Sequence, residues 1–137
     1  MEDGDYQTAI RELKPMRNWL ADYWKLWILL ASAHAHEGEF EESEEASRKL
    51  IALFPACEPA YSELANALGG QGKTEEAYGV MRFAAGNMPG SLSVHVNLAL
   101  AAKRSGRDDE ARHLARQIRE AVGPNQEIEP ILAEIEA

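Results

Sequence analysis

Few side chains in this 137-residue chain could do chemistry, and their spacing decides what chemistry that would be. There are four histidines, His34, His36, His95 and His113, and one cysteine, Cys57. His34 and His36 are two residues apart, so on a helix they point to different faces and cannot share a metal ion. The chain holds no His-Glu-x-x-His run and no second cysteine, which leaves no zinc-ligand pattern. Gly69, Gly70 and Gly72 crowd together, but between helical patterns rather than after a strand, where a phosphate-cradling loop belongs. Cys57 has no histidine forced beside it, so a nucleophile–base pair is not set up. These residues predict no catalytic group, no metal and no cofactor, and the chain reads as non-enzymatic.

Charge narrows the partners. Acidic residues outnumber basic ones 23 to 14, a net charge of −9. Nucleic acid requires a basic surface to neutralise phosphates, so it is not expected as a partner. The longest apolar stretch, Leu26 to Ala33, is too short to span a bilayer, and no charged-then-apolar leader precedes it. The single cysteine allows no intrachain disulfide, and the expected location is cytoplasmic. Six glutamates fall between Glu37 and Glu45, a solvated helix face supported by Glu44–Arg48 and Glu45–Lys49 at the favourable i, i+4 spacing. A basic set follows late in the chain: Lys103, Arg104, Arg107, Arg112, Arg116 and Arg119. Acid towards one end and base towards the other is the layout that end-to-end association into a homo-oligomer, one of the alternatives, would use.

The elements that position these residues recur. Gly4, Gly38, Gly72 and Gly106 stand at one constant interval. Trp27, Tyr61 and His95 keep the same period, as do Leu30, Leu64 and Leu98, and Ala31, Ala65 and Ala99. Pro55 and Pro89 follow it too, and Pro124 lies one residue beyond the next expected site. Each period holds two helical patterns with a glycine between them. In the first, residues 22–36 place Trp27, Leu30, Ala31 and His34 at three-and-four spacing. Gly38 permits the reversal. A second helix over residues 40–53 carries Ala46, Leu50 and Leu53, and Pro55 ends it. Sustained alternation is absent and β-branched residues are few, so the fold class is all-α. A lone helix pair cannot hide its apolar stripe, and neighbouring pairs must stack into a solenoid.

The aromatic, the Leu-Ala pair, the turn glycine, the aromatic two residues later, the second-helix alanine and the closing proline together resemble the tetratricopeptide repeat. YSELANALGGQGKTEEAYGVMRFAAGNMP matches that pattern most fully. The resemblance implies a right-handed superhelical solenoid of antiparallel helix pairs, as a single domain over 1–137. The expected layout is a half-repeat at 4–21, repeats at 24–57, 58–91 and 92–125, and a capping helix at 126–137 with Pro130 in its first turn. Ser43 stands where other repeats carry alanine, and Thr74 and Asp108 replace the turn aromatics Tyr6 and Phe40, departures expected to loosen local packing. His34, His95 and Trp27 are expected in the core. Trp19, Leu20 and Trp24 are expected to cover the face beside the half-repeat, whose helix Pro15 ends early. Gly4 is expected at a turn whose preceding helix is missing, as in a piece of a longer array or a natural half-repeat serving as a cap.

The resemblance also implies a concave face, lined by the first helices, that binds extended or helical peptides. It maps onto Ile28, Leu29, Ser32 and His36, onto Ser62, Glu63, Asn66 and the flat pair Gly69-Gly70, and onto Ser93, Val96, Asn97, Leu100, Lys103 and Arg104. Asn66 and Asn97 fit the asparagine positions of a carboxylate clamp found in some family members. The clamp's cationic positions carry Ser62, Glu127 and Ile131, so a carboxylate terminus would be poorly held. The expected function is a non-enzymatic interaction module, an adaptor or scaffold for a peptide or protein. The alternatives are a small acidic chaperone resembling the type III secretion translocator class, and a self-assembling structural subunit.

Overall fold

The computed structural model describes residues 3–13 and 24–137, which form eight α-helices and no strand among them. The expectations for Pro15, Trp19, Leu20 and the side chain of Trp24 lie outside the described residues. Two compact units divide between Lys73 and Thr74.

The first unit holds α1 (Asp3–Leu13), α2 (Trp24–His36), α3 (Phe40–Leu53) and α4 (Glu58–Gly70). Helix α3 matches the expected residues 40–53. Gly4, expected at a turn, instead lies in the first turn of α1. A helix's first N–H groups have no intrahelical acceptor there, so glycine is tolerated.

Between α2 and α3 the chain reverses by local backbone bonding. Glu39 N–H reaches back to His34 O at 2.8 Å and Gly38 N–H to Ala35 O at 3.1 Å, with Gly38 at φ +75°. This pair of bonds closes a helix only when the residue between them is left-handed, the conformation glycine adopts without steric cost. The pattern recurs one period on with Lys73 N–H to Leu68 O, and one period further with Arg107 N–H to Ala102 O.

α2, α3 and the start of α4 share one core. Leu26, Trp27, Leu30, Ala31, Ala46, Leu50, Cys57 and Ala60 form a contiguous buried cluster, with Ile28, Ile51 and Leu53 packed at its edge. His34 is buried as expected, and its Nδ1 lies 3.1 Å from Glu39 Oε1. Ser43 does not loosen this core: its hydroxyl donates to Ala31 O at 2.9 Å, satisfying the only polar group it brings. The end of α4 is fastened to α3. The Gln71 side-chain amide donates to Glu44 Oε1 at 2.8 Å and to Ala67 O at 3.1 Å, while Glu44 also accepts from Arg48 at 2.9 Å.

The second unit holds α5 (Thr74–Asn87), α6 (Leu92–Arg104), α7 (Asp108–Val122) and α8 (Glu129–Glu136). Ser91 caps α6, its hydroxyl accepting from Val94 N–H at 3.2 Å, and three acidic residues in the first turn of α7 complement the helix dipole. Val94, Leu98, Ala102, Ala111, Ala115, Ile118, Leu132 and Ile135 are buried. His95, expected in the core, is only half-buried. Tyr78 donates its hydroxyl to Glu110 at 2.7 Å, and the Arg107 guanidinium lies 3.9 Å above its ring. Pro130 occupies the start of α8, as expected. The preceding turn is held by Asn125, whose Oδ1 accepts from the N–H groups of Glu127 and Ile128.

Candidate functional site

In the first unit, α2 buries Leu26, Trp27, Leu30, Ala31, Ala33 and His34. That leaves Ile28, Leu29, Ser32 and His36 as a stripe at three-and-four spacing on the remaining face. Leu29 is 42% exposed, a large apolar side chain facing solvent. Ile28 divides its side chain between this stripe and the edge of the core. On α4 the burial of Ala60, Tyr61, Leu64, Ala67 and Leu68 leaves Ser62, Glu63 and Asn66 on the opposite face, with Asn66 exposed. The two helices are neighbours within the unit.

Two features of this face go beyond what spacing indicated. The His36 ring stacks on Tyr6 of α1, centroids 4.0 Å apart and planes within 10°. Partial burial raises the Glu63 carboxyl above its ordinary range, and the charge of nearby His36 only partly counters this. The face therefore combines an exposed leucine, a stacked imidazole, an exposed amide and a half-buried carboxyl. Such a set can accept and donate hydrogen bonds to a peptide backbone while covering one apolar side chain. Gly70 serves helix packing. A Cβ there would lie 2.5 Å from ring atoms of Phe40, so the glycine is needed where α3 packs against α4.

In the second unit the α6 stripe is Ser93, Val96, Asn97, Leu100 and Arg104, with Ser93 and Arg104 exposed and the others half-buried. Lys103 is committed elsewhere: its Nζ donates to Ala137 O at 2.6 Å and lies 3.9 Å from Asp108. Three arginines of the late basic cluster are likewise ion-paired. Arg107 pairs with Glu75 at 2.9 Å, Arg112 with Asp109 at 3.1 Å, and Arg119 with both Glu129 and Glu136 at 2.7 and 2.6 Å. Acidic residues of the same unit thus meet Arg107, Arg112 and Arg119, while Arg104 and Arg116 are exposed.

Sequence spacing missed a cavity of about 290 Å³ in this unit. Leu92, His95, Leu114, Ile118, Ala121 and Val122 line it, with Gln117 and the turn at Pro89 to Ser91. A signal for it was present: His95 is the smallest ring in a register that elsewhere holds Trp27 and Tyr61. Among the described residues no group of histidine, cysteine and carboxylate side chains is arranged to hold a metal ion. No described helix is long and apolar enough to cross a membrane.

Known proteins place this arrangement. Two family models described as tetratricopeptide repeat match the chain, one over residues 1–68 and one over residues 92–117. No curated protein matches the chain. Nineteen solved chains do. One of them, described as "Crystal structure of MamA protein", has a TM-score of 0.75 and 23% identity over 84% of this chain. The chain spans 63% of that protein's length. Identity at that level carries the fold and nothing finer. The evenly spaced, glycine-closed turns and both repeat matches agree: the chain belongs to the tetratricopeptide repeat family, a protein-interaction repeat module.

Proposed function

We propose that the protein is a non-enzymatic adaptor that holds a peptide segment of a partner on the exposed face of α2 and α4. The observation that carries this reading is the unburied stripe itself. Leu29, Ser32 and His36 lie on one helix and Glu63 and Asn66 on its neighbour, so an exposed apolar side chain stands among groups able to bond a peptide backbone. The α6 stripe of Ser93, Val96, Asn97, Leu100 and Arg104 offers a second patch of the same mixed chemistry in the other unit. Asn66 supplies both a donor and an acceptor, the pair that an extended backbone presents.

A peptide array read with the purified protein tests the assignment. A Leu29→Ala/Asn66→Ala double variant is expected to lose most bound sequences, and a Lys49→Ala control on α3 to keep them. A double variant that retains the same bound set would remove α2 and α4 as the binding face. Val96→Ala/Asn97→Ala/Leu100→Ala asks the same of α6.

A further inference from the structure

We infer that Glu63 makes the α2–α4 face selective for a peptide carrying an arginine, whose guanidinium pairs with the Glu63 carboxyl and lies against the exposed His36 ring. The inference rests on the peptide-binding reading of that face and names the side chain it prefers. Its starting point is a carboxyl that has lost water without gaining a partner. Glu63 is half-buried on the outward stripe of α4 and makes no hydrogen bond or ion pair with a described residue. Among the described residues His36 is the one charge acting on it, and it only partly offsets the burial.

The neighbouring helices supply no fixed cation at this position. Helix α4 carries Glu58 and Glu63 and no lysine or arginine. On α2 the basic residues are Lys25 in the first turn and His34 and His36 in the last. His34 is buried against Glu39, and Lys25 stands about 16 Å along the helix from His36. On α1, Arg11 is in the last turn, whereas Tyr6, the residue that meets His36, is in the first. The turn after His36 adds two more carboxyls, Glu37 and Glu39. Covering the Glu63 carboxylate with a neutral or acidic segment would strip the water it keeps and leave its charge unpaired, which is costly. A cation that arrives with the peptide replaces that cost by a charge-assisted hydrogen bond.

The second group favours arginine over lysine. His36 is exposed, and the Tyr6 ring covers one of its faces at 4.0 Å with the planes within 10°. A flat ring backed by a parallel neighbour presents its other face, on which a planar guanidinium stacks and a compact ammonium does not. The guanidinium also forks onto both oxygens of a carboxylate. A carboxyl on α4 and a backed ring on α2 together fit one arginine.

The test uses the full chain on an array of random-sequence octapeptides of known composition. Expected is a bound set enriched at least threefold in arginine over the array, and less in lysine. Glu63→Gln, which relieves a desolvated charge and so stays folded, is expected to lose that enrichment. Glu63→Arg is expected to reverse it towards aspartate and glutamate. His36→Ala should bring arginine down to the level of lysine. Glu41→Gln, which removes the same charge from an exposed position of α3, is expected to keep the arginine enrichment. Equal loss with Glu41→Gln would assign the preference to general attraction by a chain of net charge −9 and overturn the inference. So would arginine enrichment that survives Glu63→Gln, or equal enrichment of lysine and arginine by the native chain. Failure of the underlying reading looks different: Leu29→Ala/Asn66→Ala would then retain the native bound set. Failure of this inference alone leaves a bound set that the double variant loses but that shows no arginine preference. A native chain that binds no peptide overturns both.

Discussion

The Ser43 hydroxyl donates to the main-chain oxygen of Ala31 at 2.9 Å, joining α3 to α2 through a bond wholly inside the first unit. One turn further along α3, Ser47 is equally buried, and its hydroxyl has no partner among the described residues. The two serines share a helix, a burial and a chemistry, and differ only in whether a carbonyl lies within reach.

They should therefore respond oppositely to alanine. Ser43→Ala loses a net hydrogen bond of about 0.5–1.5 kcal/mol, partly offset by better helix propensity, and is expected to destabilise by about 0.5–1 kcal/mol. Ser47→Ala removes a buried polar atom that no described residue satisfies and is expected to stabilise by about 1–2 kcal/mol. Urea unfolding of both variants checks the pair. Equal shifts of the same sign would contradict the assigned hydrogen bonding.

Gly70 and Phe40 should be coupled. Added to Gly70, a Cβ would sit 2.5 Å from Phe40 ring carbons, too close for the ring to remain in place. Gly70→Ala is expected to destabilise by about 1–3 kcal/mol despite alanine's higher helix propensity. In a Phe40→Ala background the same change should be neutral or stabilising by up to about 1 kcal/mol, a non-additivity that a double-mutant cycle measures directly.

Two carboxyls of the first unit should give pH profiles of opposite sign. Glu44 lies below its ordinary range because the Gln71 amide, and next Arg48, bond its charged form. Its contribution is present above the unfolded value of 4.5 and is lost as pH falls through the lowered folded value. Glu63 lies above its range because of burial, so its contribution is present below 4.5 and is lost as pH rises through the raised folded value. Glu44→Gln is expected to be less stable than the native protein at neutral pH, by about 0.5–1 kcal/mol. Glu63→Gln is expected to be more stable there. Both differences should vanish once the pH lies below the folded values, where both carboxyls are protonated. Urea midpoints across pH provide the readout.

Arg119 holds α8 to α7 through two carboxylates at once, Glu129 and Glu136. All three groups face solvent, so the effect should be local and sensitive to salt. Arg119→Gln is expected to speed amide hydrogen exchange at Ile131 to Ile135 several-fold, with little change in the core of α6. High salt should narrow the difference between variant and native protein. Unchanged exchange in α8 would show that Leu132 and Ile135 hold the helix without the ion pairs.

The repeat period, the helix pairs and the family were legible in the sequence because the features that define them are local. A turn such as Ala35 to Glu39 is closed by backbone bonds between near neighbours, and it requires one left-handed position, which glycine marks by name. Burial followed for the same reason, since the three-and-four spacing of Trp27, Leu30, Ala31 and His34 leaves a helix only one face to hide. Partners distant in the chain were not legible. That Phe40 would claim Gly70, that Arg107 and Arg119 would be neutralised within their own unit, and that Ser43 would find Ala31 all depend on contacts between different helices. The letters state each side chain's charge and size, but not which group stands opposite it. The same holds for the cavity at His95: the smaller ring is visible in the register, but only the tertiary structure brings the start of α6 and the end of α7 together around the space.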